Sequence, residues 1–119
     1  MGPDSVRTLR VWQEGMALVK DSYFLTSAWP KSEMFGLTSQ IRRAAVSIPC
    51  NLAEGKGRGS SAAIVRFARI ALGSAYELDT LLQIAAELEF TDATLVTTAR
   101  QHVASLVRQL STYIQSRRT

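Results

Sequence analysis

The sequence has a single cysteine, Cys50, and a single histidine, His102, in 119 residues. One cysteine excludes an internal disulfide. One histidine, with no carboxylates or thiols at ligand spacing around it, leaves no metal-site pattern and no cofactor motif. No apolar run approaches the roughly 20 residues that cross a bilayer. Met1-Gly2-Pro3-Asp4 shows no basic segment leading into an apolar stretch, so no secretory leader is expected and the location expected is cytoplasmic. Cys50 follows Pro49 in an apolar stretch and reads as a small buried thiol. His102 flanks an apolar helical stripe with no base or ligand beside it and reads as an edge residue. Glu54 with Glu77 or Asp79 would be the one carboxylate pair, but on helix faces these read better as arginine partners. With no catalytic constellation, the chain is expected not to be an enzyme and to have no small-molecule substrate. Residues 1–119 fit one domain with a core large enough to need no staple.

What the sequence does have is charge, unevenly placed. Eleven of fourteen basic residues are arginine, the side chain suited to bidentate contacts with phosphate or carboxylate. Residues 1–36 are neutral overall, 37–73 carry a net +5, 74–99 a net −5 and 100–119 a net +4. Such blocks either neutralise one another within a bundle or between subunits, or form a surface for an anionic partner.

Hydrophobic periodicity predicts four helices and no strands. Helix 1 is expected from about Ser5 to Ala28, with Leu9, Trp12, Met16, Val19 and Tyr23 as the core stripe and Val11, Leu18 and Leu25 as a second apolar row. Trp29-Pro30 ends it, and Ser32 is a candidate cap in the connection that follows. Helix 2 starts near Leu37 and buries Leu37, Ile41, Ala44, Ala45, Ile48 and Leu52, an arc of about 100°. Pro49 should kink it or split it. Helix 3 follows a Ser60 cap and runs to about Leu88; its small residues Ala68, Ala71, Gly73, Ser74 and Ala75 would let a neighbour approach closely. Helix 4 follows an Asp92 cap and buries Ala99, Val103, Leu106, Leu110 and Tyr113 to about Gln115, with Ser116 to Thr119 frayed. Short links between long helices imply an antiparallel up-down-up-down four-helix bundle.

Two features stand outside a plain bundle. Gln40, Arg43, Ser47, Asn51 and Glu54 form a polar stripe on helix 2 beside its apolar arc, with Val46, Pro49, Cys50 and Ala53 on the far side. A helix so apolar all round is expected to be covered by the bundle and by another subunit. An antiparallel helix 3 would bring Arg43 toward Glu77, and Glu54 toward Arg66 and Arg69. Such pairings fix register more than they add stability. The second feature is Gly55-Lys56-Gly57-Arg58-Gly59-Ser60-Ser61, a glycine-rich basic turn before a helix N-terminus. It lacks Walker spacing. Helix N-termini favour anions, and Lys56, Arg58, Arg66 and Arg69, with Arg42 next, are the candidate phosphate contacts. Without a platform of aromatic rings, RNA binding here would be mainly electrostatic.

The segment Leu37-Thr38-Ser39-Gln40-Ile41-Arg42-Arg43-Ala44-Ala45-Val46-Ser47-Ile48-Pro49-Cys50-Asn51-Leu52-Ala53-Glu54-Gly55 resembles the signature of the four-helix bundle proteins encoded in intervening sequences of bacterial 23S ribosomal RNA. Leu9 through Trp12-Gln13 resembles that family's first-helix start. Arg58 resembles its basic residue after the glycine, and Phe67 through Ile70-Ala71-Leu72-Gly73-Ser74-Ala75-Tyr76-Glu77-Leu78 its third-helix pattern. The resemblance spans roughly residues 6–90, with Cys50 and Leu72-Gly73 as small departures. It implies a homopentameric ring and kinship with RNA-binding accessory subunits of diversity-generating retroelements. It also implies an association with fragmented ribosomal RNA, which the protein would support structurally. The alternative is a protein-interaction scaffold, or an accessory subunit with no direct RNA role.

Overall fold

The computed structural model describes residues 2–118. Four helices follow one another along the chain: α1 (Arg10–Thr26), α2 (Leu37–Arg58), α3 (Ser61–Glu87) and α4 (Ala93–Arg117). They pack as α1 on α2, α2 on α3, α3 on α4 and α4 back on α1, in an antiparallel bundle about 44 Å long and 22 × 19 Å across. The core is one cluster along the bundle axis, in which Leu18, Ile41, Ile48, Leu52, Leu78, Leu82, Val103, Leu106 and Leu110 are essentially inaccessible.

The helix boundaries follow side-chain chemistry. Ser60 Oγ accepts from the Ala63 N–H at 3.1 Å, and Asp92 Oδ1 from the Thr94 N–H at 2.6 Å, so both expected caps form. Ser32 lies inside a short 3-10 turn, Lys31–Glu33, which follows Pro30 and has no side-chain cap, and Glu33 Oε1 accepts from the Leu37 N–H at 3.2 Å at the start of α2. Helix 1 is also shorter than its periodicity implies. Residues Pro3–Thr8 form a 3-10 turn, and Leu9 is extended (φ −77°, ψ 122°) before α1 begins. Thr8 Oγ1 donates to the Ser5 carbonyl and Gln13 Nε2 to the Arg7 carbonyl, which satisfies backbone groups a continuous helix would have used. At its other end α1 stops at Thr26, and Trp29 folds in against the Phe90 ring at 5.7 Å to close that end of the core. Helix 4 runs on through Ser116 and Arg117, which the sequence placed in a frayed tail; Thr119 lies outside the described residues.

The second correction in α1 is rotational. Val11, Gly15, Leu18, Ser22 and Thr26 face the core. The stripe read as core lies to one side of them: Leu9, Trp12 and Val19 are half-buried, while Met16 and Tyr23 are 40% and 44% exposed. Gly15 explains the rotation. Its missing side chain admits Ile48 and Pro49 of α2, which would lie 3.3 and 3.6 Å from a Cβ placed there. The same contact explains why Pro49 does not split α2, which is helical through all 22 residues. A proline inside an isolated helix costs about 3 kcal/mol. Here the ring is buried in the α1 notch, and tertiary packing offsets the lost hydrogen bond.

Helix 2 also continues through most of the stretch read as a turn. Only Gly59, at φ 81°, takes the left-handed conformation that ends the helix. On α3, Ala68, Ala71 and Ala75 are fully buried against neighbouring helices as expected, but Gly73 points outward, and a Cβ there would meet nothing within 4 Å. Gly73→Ala is therefore expected to raise stability by roughly 0.5–1 kcal/mol through helix propensity alone. Thermal unfolding checks this; a lowered midpoint would mean that another surface packs on α3 there.

Candidate nucleic-acid interface

The up-down-up-down path brings chain-distant segments to the same end of the bundle. One half holds the start of α1 with the preceding 3-10 turn, the end of α2, the start of α3 and the end of α4. That half contains Arg7, Arg10, Lys56, Arg58, Arg66, Arg69, Arg108, Arg117 and Arg118 against Asp4, Glu14 and Glu54, a net +6. The other half has five cations against seven carboxylates, a net −2. The charge blocks along the sequence thus become a dipolar bundle with one arginine-rich end.

Four of the five candidate phosphate contacts, Lys56, Arg58, Arg66 and Arg69, lie in this half. Arg42 does not. It sits near the start of α2 at the opposite end, where its Nε donates to Thr26 Oγ1 at 2.9 Å and its guanidinium lies 4.4 Å from the Tyr23 ring centre. Sequence reasoning missed Arg7, Arg10, Arg108, Arg117 and Arg118 as members of the same surface. For Arg108, Arg117 and Arg118 the signal lay in the basic composition of residues 100–119, but only the antiparallel return of α4 places them beside the start of α1. Arg10 and Arg108 face each other across the α1–α4 groove, with Thr112 and Tyr113 in its wall. Lys56 borders a second groove, between the 3-10 turn and the end of α2.

Four of the arginines at this end, Arg7, Arg58, Arg66 and Arg117, are held in place by their neighbours. Arg58 donates to Glu54 Oε2 at 2.8 Å, one turn back, and its guanidinium lies 5.2 Å from the Phe67 ring centre. Arg66 lies 5.6 Å from the same ring. Arg7 lies 5.9 Å from the Trp12 ring, and Arg117 5.3 Å from that of Tyr113. Burial pushes the Tyr113 phenol above its ordinary value, and the charge of Arg117 opposes the shift, so the ring stays neutral beneath the cation. Glu54 was expected near Arg66 and Arg69; it pairs with Arg58 instead, because a partner one turn away on the same helix requires no interhelical reach.

The polar stripe of α2 becomes a network with α3. Ser47 Oγ and Ser74 Oγ are 2.8 Å apart, and Asn51 Nδ2 donates to the Ser47 carbonyl and hydroxyl at 2.8 and 2.9 Å. Gln40, Arg43, Ser47, Ser74 and Glu77 line one groove between the two helices. Asp79 takes a different partner: Arg100 of α4 donates to its two oxygens at 2.9 and 3.2 Å, and this hydrogen bonding raises the arginine above its ordinary value. The far side of α2 is less buried than expected: Cys50 is exposed, while Pro49 is covered by α1. His102 does sit at an edge, between α1 and α4. It has partners the sequence did not reveal: Nδ1 is 3.1 Å from Asp21 Oδ2 and Nε2 3.3 Å from Glu14 Oε2. Among the described residues, no three metal-ligating side chains come together, and no helix is long and apolar enough to cross a membrane.

The family model of the 23S rRNA-intervening sequence proteins matches residues 7–112. The chain belongs to this family. The match runs through most of α4, further than the residues that carry the resemblance in the sequence. A crystal structure of a protein of unknown function from the S23 ribosomal protein family of Bacteroides thetaiotaomicron has the same fold. Its TM-score is 0.73 at 21% identity, over 97% of this chain and 99% of that one. No curated protein matches the sequence. For a 23S rRNA-intervening sequence protein, the arginine-rich end is the feature whose chemistry fits a polyanion, and Glu54 at this end pairs with Arg58.

Proposed function

We propose that this 23S rRNA-intervening sequence protein is a non-enzymatic, cytoplasmic bundle that binds RNA through its phosphate backbone. The observation that carries the reading is the net +6 gathered at one end from four separate stretches of chain. Structural support of fragmented 23S rRNA is the role that fits both this surface and the family. The reading includes assembly into a homo-oligomer, a pentameric ring being the form the resemblance implies. Large apolar side chains exposed toward the other end support it: Phe35 is 96% exposed, Phe24 81% and Met34 45%. In a ring, repeated basic ends would convert weak individual contacts into tight binding. The same apolar surface favours the second reading, a scaffold that docks a partner protein without touching RNA.

RNA binding by the purified protein at two salt concentrations, with mass followed by light scattering, tests the proposal. With about five phosphates neutralised, affinity is expected to fall roughly 10²–10³-fold between about 50 and 200 mM salt. An oligomer that binds no RNA at the lower salt would make the basic end a counter-charge between subunits and leave the scaffold reading.

A further inference from the structure

Resting on the RNA reading above, we propose that the element held at the arginine-rich end is an RNA duplex, gripped by its backbone, rather than a single strand. The argument starts from the rings. Proteins that hold single-stranded nucleic acid expose aromatic faces on which successive bases stack. The aromatic residues in this half are Trp12, Phe67 and Tyr113. Phe67 and Tyr113 are 9% and 8% exposed, Trp12 is half-buried, and each ring carries an arginine guanidinium over it, two in the case of Phe67. Their faces are occupied, so they position cations instead of bases. The well-exposed rings lie elsewhere: Tyr23, Phe24 and Phe35 toward the opposite end, and Tyr76 on the flank near mid-length of α3.

The placement of the cations points the same way. They come from the 3-10 turn, α1, the α2–α3 corner and α4, so they surround an end about 22 × 19 Å across instead of following one track. A single strand laid over that width presents about half as many phosphates as a duplex, which carries one charge per ~1.7 Å of axis and so about a dozen over this distance. The four guanidinium groups that lie over Trp12, Phe67 and Tyr113 are already placed and lose little further freedom on binding. Cations so placed match the regular phosphate rows of a double helix, whose A form is recognised by shape, backbone and 2′-hydroxyl contacts.

The test uses a blunt RNA duplex of about 20 base pairs and each of its strands alone, chosen without self-complementarity, titrated by fluorescence anisotropy at about 50 and 200 mM salt. The duplex is expected to bind at least about tenfold tighter than either strand, with the steeper salt dependence. Strands that bind as well as the duplex would overturn this inference and leave the RNA reading standing. Failure of all three to bind at the lower salt would remove the RNA reading itself, and the duplex with it.

Discussion

With Arg10, Lys56, Arg69 and Arg108 all replaced by Gln, RNA affinity is expected to drop roughly 10³-fold near 0.1 M salt, and the log–log salt slope to flatten by three to four, about 0.9 per lost phosphate contact. These four residues lie on α1, α2, α3 and α4 in turn, so the variant removes one cation from each helix at the basic end. None takes part in the hydrogen bonds or ion pairs that hold helix to helix, such as Arg100–Asp79 or His102–Asp21. Surface changes of this kind shift stability little, typically within about 0.5 kcal/mol each. The control is the same number of charges removed from the other end: Lys20, Lys31, Arg42 and Arg43 to Gln. That variant has the same net charge and is expected to keep affinity within a few-fold. Equal losses in the two variants would show that total charge matters and its placement does not, and the assignment of the interface to one end would fall.

The second large effect is on folding. Gly55→Val is expected to destabilise the protein by about 3 kcal/mol, lowering the unfolding midpoint by roughly 10–15 °C. Gly55 is buried between α2 and α3, near the corner that joins them. A Cβ there would stand 2.9 Å from Phe67 Cβ, and 3.2 Å from both the Ala63 carbonyl oxygen and Ile64 Cα. Two of these three atoms are backbone, so no rotamer change relieves the clash and the helices must separate. A valine in a helix otherwise outranks glycine in propensity, by a few tenths of a kcal/mol, which is too little to offset such overpacking. Because Phe67 holds Arg58 and Arg66, displacing it would also loosen two cations of the basic end. Denaturant unfolding of this variant beside Gly73→Ala is informative, since Gly55 is enclosed by α3 and Gly73 faces open space. An unchanged midpoint for Gly55→Val would mean that α2 and α3 do not meet at Gly55.

The core positions of α2, α3 and α4 were readable because burial there repeats at the helical period and needs no knowledge of the partner. Leu37, Ile41, Ile48 and Leu52 all face inward, as do Val103, Leu106, Leu110 and Tyr113. Ser60 and Asp92 were readable as caps because a cap acts on its own next three residues. Helix 1 was harder. Two apolar rows ran along it, and the choice between them depends on where α2 docks. That is decided by the notch at Gly15, a residue that periodicity treats as blank. Cys50 reads as buried by composition and is exposed because α2 turns its Pro49 side, not its Cys50 side, toward α1.

By itself, the sequence determined four helices, most of their ends, the inward faces of three of them, and the family. All of these depend on spacing within one helix or on a continuous motif. Tertiary structure alone decided which row of α1 is core, that Pro49 is accommodated within an unbroken helix, and that His102 lies between Glu14 and Asp21. It also decided the arginine-rich end. Arg10, Lys56, Arg69 and Arg108 are dozens of residues apart in places, and the antiparallel path of four helices of similar length brings them to one end of the bundle. Electrostatic potential sums over distance in space, so a surface of this kind exists only once the chain has folded.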